Sequence, residues 1–316
     1  MRWSRPMPNG GGARLGMDEI PERVRRAIEE ILGGRVVSAR SQPGGFSPGL
    51  GARLVLEDGR RAFAKAVGGE RNPDAPRFHR REVEVLAALP ADLPVPGLLG
   101  SYDDGDWVAL VVEDVDGVMP AEPWHPAELA RVVEAMARLA DRLTPSPVDG
   151  RPVAELDEQA FRGWRTLAAD PAAAAPLGPE VCARLDELAA IEETWTAAAE
   201  GSALVHGDLR ADNILLTPDR VVFVDWPHAR IGAAWLDLLF LLPSAAVTGT
   251  DPEEVWATYP PARTADPDAV TAVLVALTGF FLHKSVLPPP RNVERVRAFQ
   301  RVQGEAALRW VDARLS

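Results

Sequence analysis

Residues 206–216 read HGDLRADNILL, so His206, Asp208, Asp212 and Asn213 fall between the apolar pair Leu204-Val205 and the run Ile214-Leu215-Leu216. Polar residues wedged between two short apolar runs describe a loop held by buried strands, the setting in which chemistry is commonly placed. Further on, Asp225 closes the β-branched run Val221-Val222-Phe223-Val224. If 214–216 and 221–224 pair antiparallel through a turn at 217–220, Asn213 and Asp225 meet at the open end, with the loop carrying Asp208 nearby. A carboxylate and an amide oxygen converging there are hard donors of the kind Mg²⁺ prefers. The plain alternative is a polar turn in which Asp and Asn cap local backbone.

A second signal is compositional. Of 34 basic residues only Lys65 and Lys284 are lysine, so the chain almost always uses arginine. Lys65 lies in Ala62-Phe63-Ala64-Lys65-Ala66-Val67, a charge inside an apolar strand. Arginine would serve a solvated strand face equally well, but it does not replace a compact ammonium against phosphate oxygens.

The elements that position these residues divide the chain. Residues 1–17, rich in Gly, Pro and Arg, read as a disordered extension, and Met17 is an alternative start. IPERVRRAIEEIL reads as a helix that begins near Pro21 and stops at Gly33-Gly34. Strands follow at 35–41, 51–57 and 60–67, with a Gly/Pro/Ser loop at 42–50 and a hairpin turn at Asp58-Gly59. Residues 77–89 read as a helix and 107–115 as a strand. Beyond about residue 116 helices dominate, at 126–143, 155–168, 179–199, 232–247, 268–286 and 291–314. The expected organisation is α+β, with a small antiparallel-sheet N-lobe over 18–115 and a larger, mainly helical C-lobe over 116–316.

The spacing His206-Gly207-Asp208, four residues, then Asn213 resembles the catalytic loop of the aminoglycoside phosphotransferase family within the bilobal protein-kinase-like fold. His-Gly-Asp is the small-molecule-kinase form of that loop. Asp225-Trp226 stands where protein kinases carry Asp-Phe-Gly. The resemblance implies that Asp208 accepts the proton of a substrate hydroxyl and that His206 orients the loop. It implies that Asn213 and Asp225 hold Mg²⁺ against the phosphates of ATP or GTP, bound in a cleft between the lobes. Asp237 matches an aspartate that supports the catalytic loop. Lys65 takes the place of the phosphate-binding lysine of the third strand, and Glu82 that of its helical carboxylate partner, with Glu84 as the alternate. Gly44-Gly45-Phe46-Ser47 resembles the family's short glycine loop, where Gly44, Gly45 and Ser47 would face phosphate. Glu113 and Val115 would offer backbone groups to the adenine. Trp256, Tyr259, Asp251, Glu253 and Glu254 are candidates for the acceptor pocket. His79 and His125 read as surface residues, and His228 as a loop residue.

Composition narrows the partners. A net charge of −12 argues against nucleic acid and suits a cationic ligand as well as simple solubility. Ala269 to Leu282 is the most apolar segment, and at 14 residues it reads as a buried core helix rather than a membrane span. A single cysteine, Cys182, excludes an intramolecular disulfide and fits a cytoplasmic setting. The expected function is therefore ATP- and Mg²⁺-dependent transfer of the γ-phosphoryl group to a hydroxyl of a small molecule, by a monomer or homodimer. An aminoglycoside ranks first, with choline-, homoserine-, macrolide- or sugar-like acceptors as alternatives. The rivals are a nucleotide-binding pseudokinase and transfer of AMP.

Overall fold

Lys65 needs a rigid strand beneath it, and the alternation of the third strand supplies one. The structure is a computed structural model that describes residues 14–42, 49–70, 73–157, 159–289 and 296–316. Two compact units are resolved, Met1–Glu122 with Ala211–Ala229, and Pro123–Arg210 with Arg230–Ser316.

In the first unit helix α1 (Glu22–Leu32) is followed by β1 (Val36–Ser41), β2 (Leu50–Leu56), β3 (Arg61–Gly68), helix α2 (Ala75–Ala88), β4 (Leu98–Asp103) and β5 (Trp107–Glu113). The strands form one antiparallel sheet in the order β1-β2-β3-β5-β4. Ala62, Ala64 and Ala66 of β3 point to one face and join Val24, Ile28 and Leu32 of α1 in a buried core. The period of two therefore sends Lys65 to the opposite face. On α2 the buried positions His79, Glu82, Val85 and Leu86 recur at helical spacing, so Glu82 belongs to the packed stripe of that helix. Leu15 is also part of the α1 core, its N–H donates to the Gly49 carbonyl at 3.2 Å, and Met17 packs against the same cluster. Residues 14–17 therefore do not belong to the disordered extension expected over 1–17. β4 was not anticipated. Its Leu-Leu-Gly-Ser run has no β-branched residue, and Gly100 is there because a Cβ would come 2.7 Å from the Ile31 side chain.

The hairpin read from sequence is present in this unit as β6 (Ile214–Leu216) and β7 (Val221–Phe223), with Ile214 opposite Phe223. Its turn is closed by Thr217, whose N–H donates to the Arg220 carbonyl and whose hydroxyl donates to Asp219 at 2.7 Å.

The second unit begins with α3 (Pro126–Arg142) and ends with α4 (Leu236–Ala246), α5 (Pro267–Val286) and α6 (Val296–Leu315). A two-stranded ribbon of Ala203–Val205 with Arg230–Gly232 lies ahead of α4. The expected continuous helix 155–168 is broken into Val153–Asp157 and Gly163–Ala169. Two features cause the restart. The buried Glu192 carboxylate accepts the Trp164 and Arg165 N–H groups at 3.0 Å each, ending the need for a preceding helical turn. Gly163 also faces Gly279 of α5 so closely that a Cβ would meet its carbonyl oxygen at 1.9 Å. The expected helix 179–199 is likewise three short pieces, Pro179–Cys182, Leu185–Glu192 and Trp195–Ala198. At the last break the Thr194 hydroxyl donates to the Ile191 carbonyl at 2.9 Å, a side-chain bond that competes with helix continuation.

By length and composition α5 could cross a membrane, yet 61% of its most apolar window is buried inside the protein. Val273, Leu274, Val275 and Ala276 are fully covered, as expected of a core helix.

Candidate active site

The candidate residues fall into two groups, one within each unit. In the first unit the Lys65 ammonium donates to both oxygens of Glu82, at 2.7 and 2.8 Å, and to Asp225 Oδ1 at 2.5 Å. Burial alone would lower the pKa of Lys65, but the Asp225 and Glu82 carboxylates outweigh it and raise the value, so the charge is retained. For Glu82 burial pushes the carboxyl up, and Lys65 pulls it back. Glu82 also accepts the backbone N–H of Trp226, which ties α2 to the residue after Asp225. Of the two carboxylates weighed on this helix, Glu82 is 3% exposed and holds the lysine, whereas Glu84 pairs with Arg81 on the outside.

Asp225 follows β7 with φ at 70°, the only positive φ of a non-glycine residue among the described residues. Such a conformation costs about 1–3 kcal/mol and persists where surrounding contacts overdetermine it. Here the Lys65 ion pair and the buried Trp226 ring, whose indole N–H donates to the Phe223 carbonyl at 3.0 Å, fix both sides of the residue. Asn213 is 7% exposed, and its carbonyl accepts the Val224 N–H at 3.0 Å. The hairpin thus brings Asn213 and Asp225 to its open end, as the spacing anticipated. No cluster of three or more His, Cys, Asp or Glu side chains able to hold a metal occurs among the described residues. An Asn–Asp pair still fits Mg²⁺, which is commonly held by one or two protein oxygens plus substrate phosphates.

Other residues expected around a nucleotide fare differently. Gly44, Gly45 and Ser47 lie outside the described residues. The Glu113 carboxylate pairs with Arg220 at 2.6 Å, and its N–H donates to the Gly97 carbonyl at 2.9 Å. The Val115 carbonyl accepts from Arg53 at 2.9 Å and from the Gly117 N–H at 3.0 Å.

In the second unit the ribbon strand Ala203–Val205 delivers the loop His206-Gly207-Asp208. Asp237, in the first turn of α4, accepts the His206 N–H at 2.8 Å and the Gly207 N–H at 2.9 Å. Burial pushes the Asp237 carboxyl upward, and His206 and the two amides pull it back. Gly207 has φ at 78°, so this turn favours glycine, which accounts for His-Gly-Asp. The His206 ring is fully buried and its Nδ1 accepts the Asp208 N–H at 3.3 Å, an orienting contact rather than a reactive one. Asp208 itself is half-exposed.

Four of the five acceptor-pocket candidates, Asp251, Glu253, Trp256 and Tyr259, make structural contacts. Asp251 caps the helix Pro252–Thr258, accepting the Glu253 N–H at 2.9 Å, and Glu253 accepts the Trp310 indole at 2.7 Å. Trp256 and Tyr259 are buried in the helical core, and the Tyr259 hydroxyl donates to the Ala234 carbonyl at 3.2 Å. Sequence reasoning also misplaced His79. It is 6% exposed, and burial followed by the Lys65 charge lowers its pKa to about 4. Its place three residues before Glu82, on the same helical stripe, was the available signal.

The sequence profile of the phosphotransferase enzyme family, APH, matches residues 49–272. An aminoglycoside 3'-phosphotransferase of Streptomyces fradiae is 35% identical over 141 residues, which cover 40% of this chain and 48% of that protein. The chain therefore matches about half the length of that relative. A thermostable mutant of the aminoglycoside phosphotransferase APH(4)-Ia, in ternary complex with AMP-PNP and hygromycin B, superposes with a TM-score of 0.56 at 17% identity, covering 92% of this chain and 98% of that one. The amicoumacin kinase hAmiN, in complex with AMP-PNP, Ca²⁺ and Ami, gives 0.52 at 13% identity, covering 82% and 85%. At those identities the structures establish a shared protein-kinase-like fold. With the family profile spanning most of its length, the chain belongs to the APH phosphotransferase family.

Proposed function

We propose that the protein transfers the γ-phosphoryl group of ATP to a hydroxyl of a small molecule, with Mg²⁺ held by Asn213 and Asp225. The observation that carries this reading is the half-buried ammonium of Lys65, gripped by Glu82 and Asp225 on the face opposite the α1 core. A charge held between two carboxylates, in a chain that avoids lysine, is explained by anionic oxygens that it must meet. When bound, the metal would neutralise charge on the phosphates.

Each remaining role follows from placement. Glu82 fixes the Lys65 ammonium, so little ordering is left when phosphate arrives. Asp237 clamps two consecutive amides and thereby sets the direction of Asp208, which takes the proton of the acceptor hydroxyl as that oxygen bonds to phosphorus and ADP departs. The acceptor named first is an aminoglycoside, supported by the Streptomyces fradiae relative and by an acidic surface suited to a polycation. Choline-, homoserine-, macrolide- and sugar-like hydroxyls stand behind it, because one scaffold serves many acceptors.

The test is product analysis by mass spectrometry after incubation with Mg-ATP and a panel of these acceptors. A phosphorylated acceptor with stoichiometric ADP supports the proposal. An adenylylated acceptor with pyrophosphate means that AMP is transferred instead, and nucleotide binding without any turnover marks a pseudokinase.

A further inference from the structure

A cation that the family reading did not anticipate lies on the Lys65 face of the sheet. Residues 14–16 run alongside β2, where Leu15 makes a parallel bridge to Leu50 and donates its N–H to the Gly49 carbonyl at 3.2 Å. This register lays the Arg14 side chain across Gly51. A Cβ at Gly51 would come 1.7 Å from Arg14 Nη1 and 2.9 Å from its Cζ, so the guanidinium occupies the space a side chain would fill. Gly51 is the direct cross-strand partner of Lys65. Opposed residues of an antiparallel pair project to the same face, so Arg14 and Lys65 share one surface. Arg14 also feels the attraction of the Asp225 carboxylate, although burial is the larger influence and lowers its pKa. Both Arg14 and Lys65 depress the pKa of His79, which places all of these groups within one electrostatic neighbourhood.

We propose that Arg14 is a phosphate-binding residue of the nucleotide site, supplying beside Lys65 a second cation that Gly51 leaves room to seat. The inference rests on the nucleotide reading above. Lys65 already engages the carboxylates of both Glu82 and Asp225, so Arg14 adds a further cation on the same face, and a polyphosphate would supply anionic oxygens for it to meet. A guanidinium presents a planar fork that matches phosphate oxygens two at a time, whereas Lys65 acts as a point charge. The Asp225 carboxylate attracts both cations.

The experiment is calorimetric titration of the full-length protein with Mg-ATP, Mg-ADP and adenosine, for Arg14→Ala, Arg14→Lys, Gly51→Ala and the Arg14→Ala/Gly51→Ala double variant. Arg14→Ala is expected to weaken Mg-ATP by about tenfold to a hundredfold, as for loss of a charge-assisted hydrogen bond, and adenosine by less than about twofold. Arg14→Lys recovers part of the loss. Gly51→Ala displaces the guanidinium and also weakens Mg-ATP, but adds nothing in the Arg14→Ala background. Unchanged Mg-ATP affinity in Arg14→Ala overturns the inference. So does tighter binding, which would make Arg14 a plug, or equal loss for ATP and adenosine, which would make it structural. Should the unaltered protein bind none of the nucleotides, the functional reading itself falls, and the inference with it.

Discussion

Lys65→Met keeps the length of the stem and removes the ammonium, isolating the role of that charge. Glu82 would lose the donor that both of its oxygens use, retaining the Trp226 N–H at a position 3% exposed to solvent. Removing one member of a buried ion pair costs about 3–5 kcal/mol, because the survivor is left uncompensated. Lys65 is shielded enough for this figure to apply, with its side chain 18% exposed. The loss is expected in urea unfolding at pH 7.5 as a lower midpoint with an unchanged slope. Lys65→Met/Glu82→Gln should regain the part due to Glu82, whereas Asp225, with its side chain 42% exposed, still lacks its lysine. The pH dependence has a definite sign. Without Lys65 the folded Glu82 pKa lies well above its unfolded value of 4.5, so the contribution of the protonated form is present at low pH and lost as pH rises through the folded value. The gap from the unaltered protein should therefore be widest near pH 8 and close towards pH 5. A gap below about 1 kcal/mol, or one identical at both ends, would refute the reasoning, since an exposed pair behaves that way.

Other expectations follow from the same geometry. Asp225→Ala should abolish Mg²⁺-dependent nucleotide binding in calorimetry, and retained Mg²⁺ dependence would remove Asp225 from the metal site. For His79, the interval between an unfolded value of 6.5 and a folded value of about 4 is worth about 3 kcal/mol. The unfolded chain binds the extra proton there, so this stability is full above pH 6.5 and lost as pH falls towards 4; His79→Leu should flatten that part of the Tm profile, and an equally steep profile would count against it. Asp237→Ala should lower turnover through the freed His206 and Gly207 amides while leaving nucleotide affinity within about twofold, because its contacts are to the loop bearing Asp208. A nucleotide affinity that falls in parallel with turnover would show a wider role.

Much of the site was legible because its chemistry is local in sequence. The hairpin through 217–220 needs only two apolar runs and a polar turn, and these bring Asn213 to Asp225. Lys65 was found because a charge inside an alanine strand breaks a pattern, whereas Glu82 came from the family resemblance, with Glu84 as its alternate. What escaped depends on contacts distant in sequence. Gly163 against Gly279 divides a helix that composition alone would continue. Asp251, Glu253 and Trp256 read as a ligand pocket because acids beside aromatics look alike in a pocket and in a cap packed on a core. Arg14 lay in a stretch whose Gly/Pro composition signals disorder, and only the register of Leu15 on β2 shows where its side chain goes.

The central claim is tested most directly by single-turnover phosphoryl transfer from Mg-ATP to whichever panel member is phosphorylated, comparing the unaltered protein with Asp208→Ala. The account predicts a rate lower by about 10²–10⁴ in the variant with Mg-ATP affinity nearly unchanged, since a general base acts only in the transition state. An undiminished rate in Asp208→Ala would contradict it.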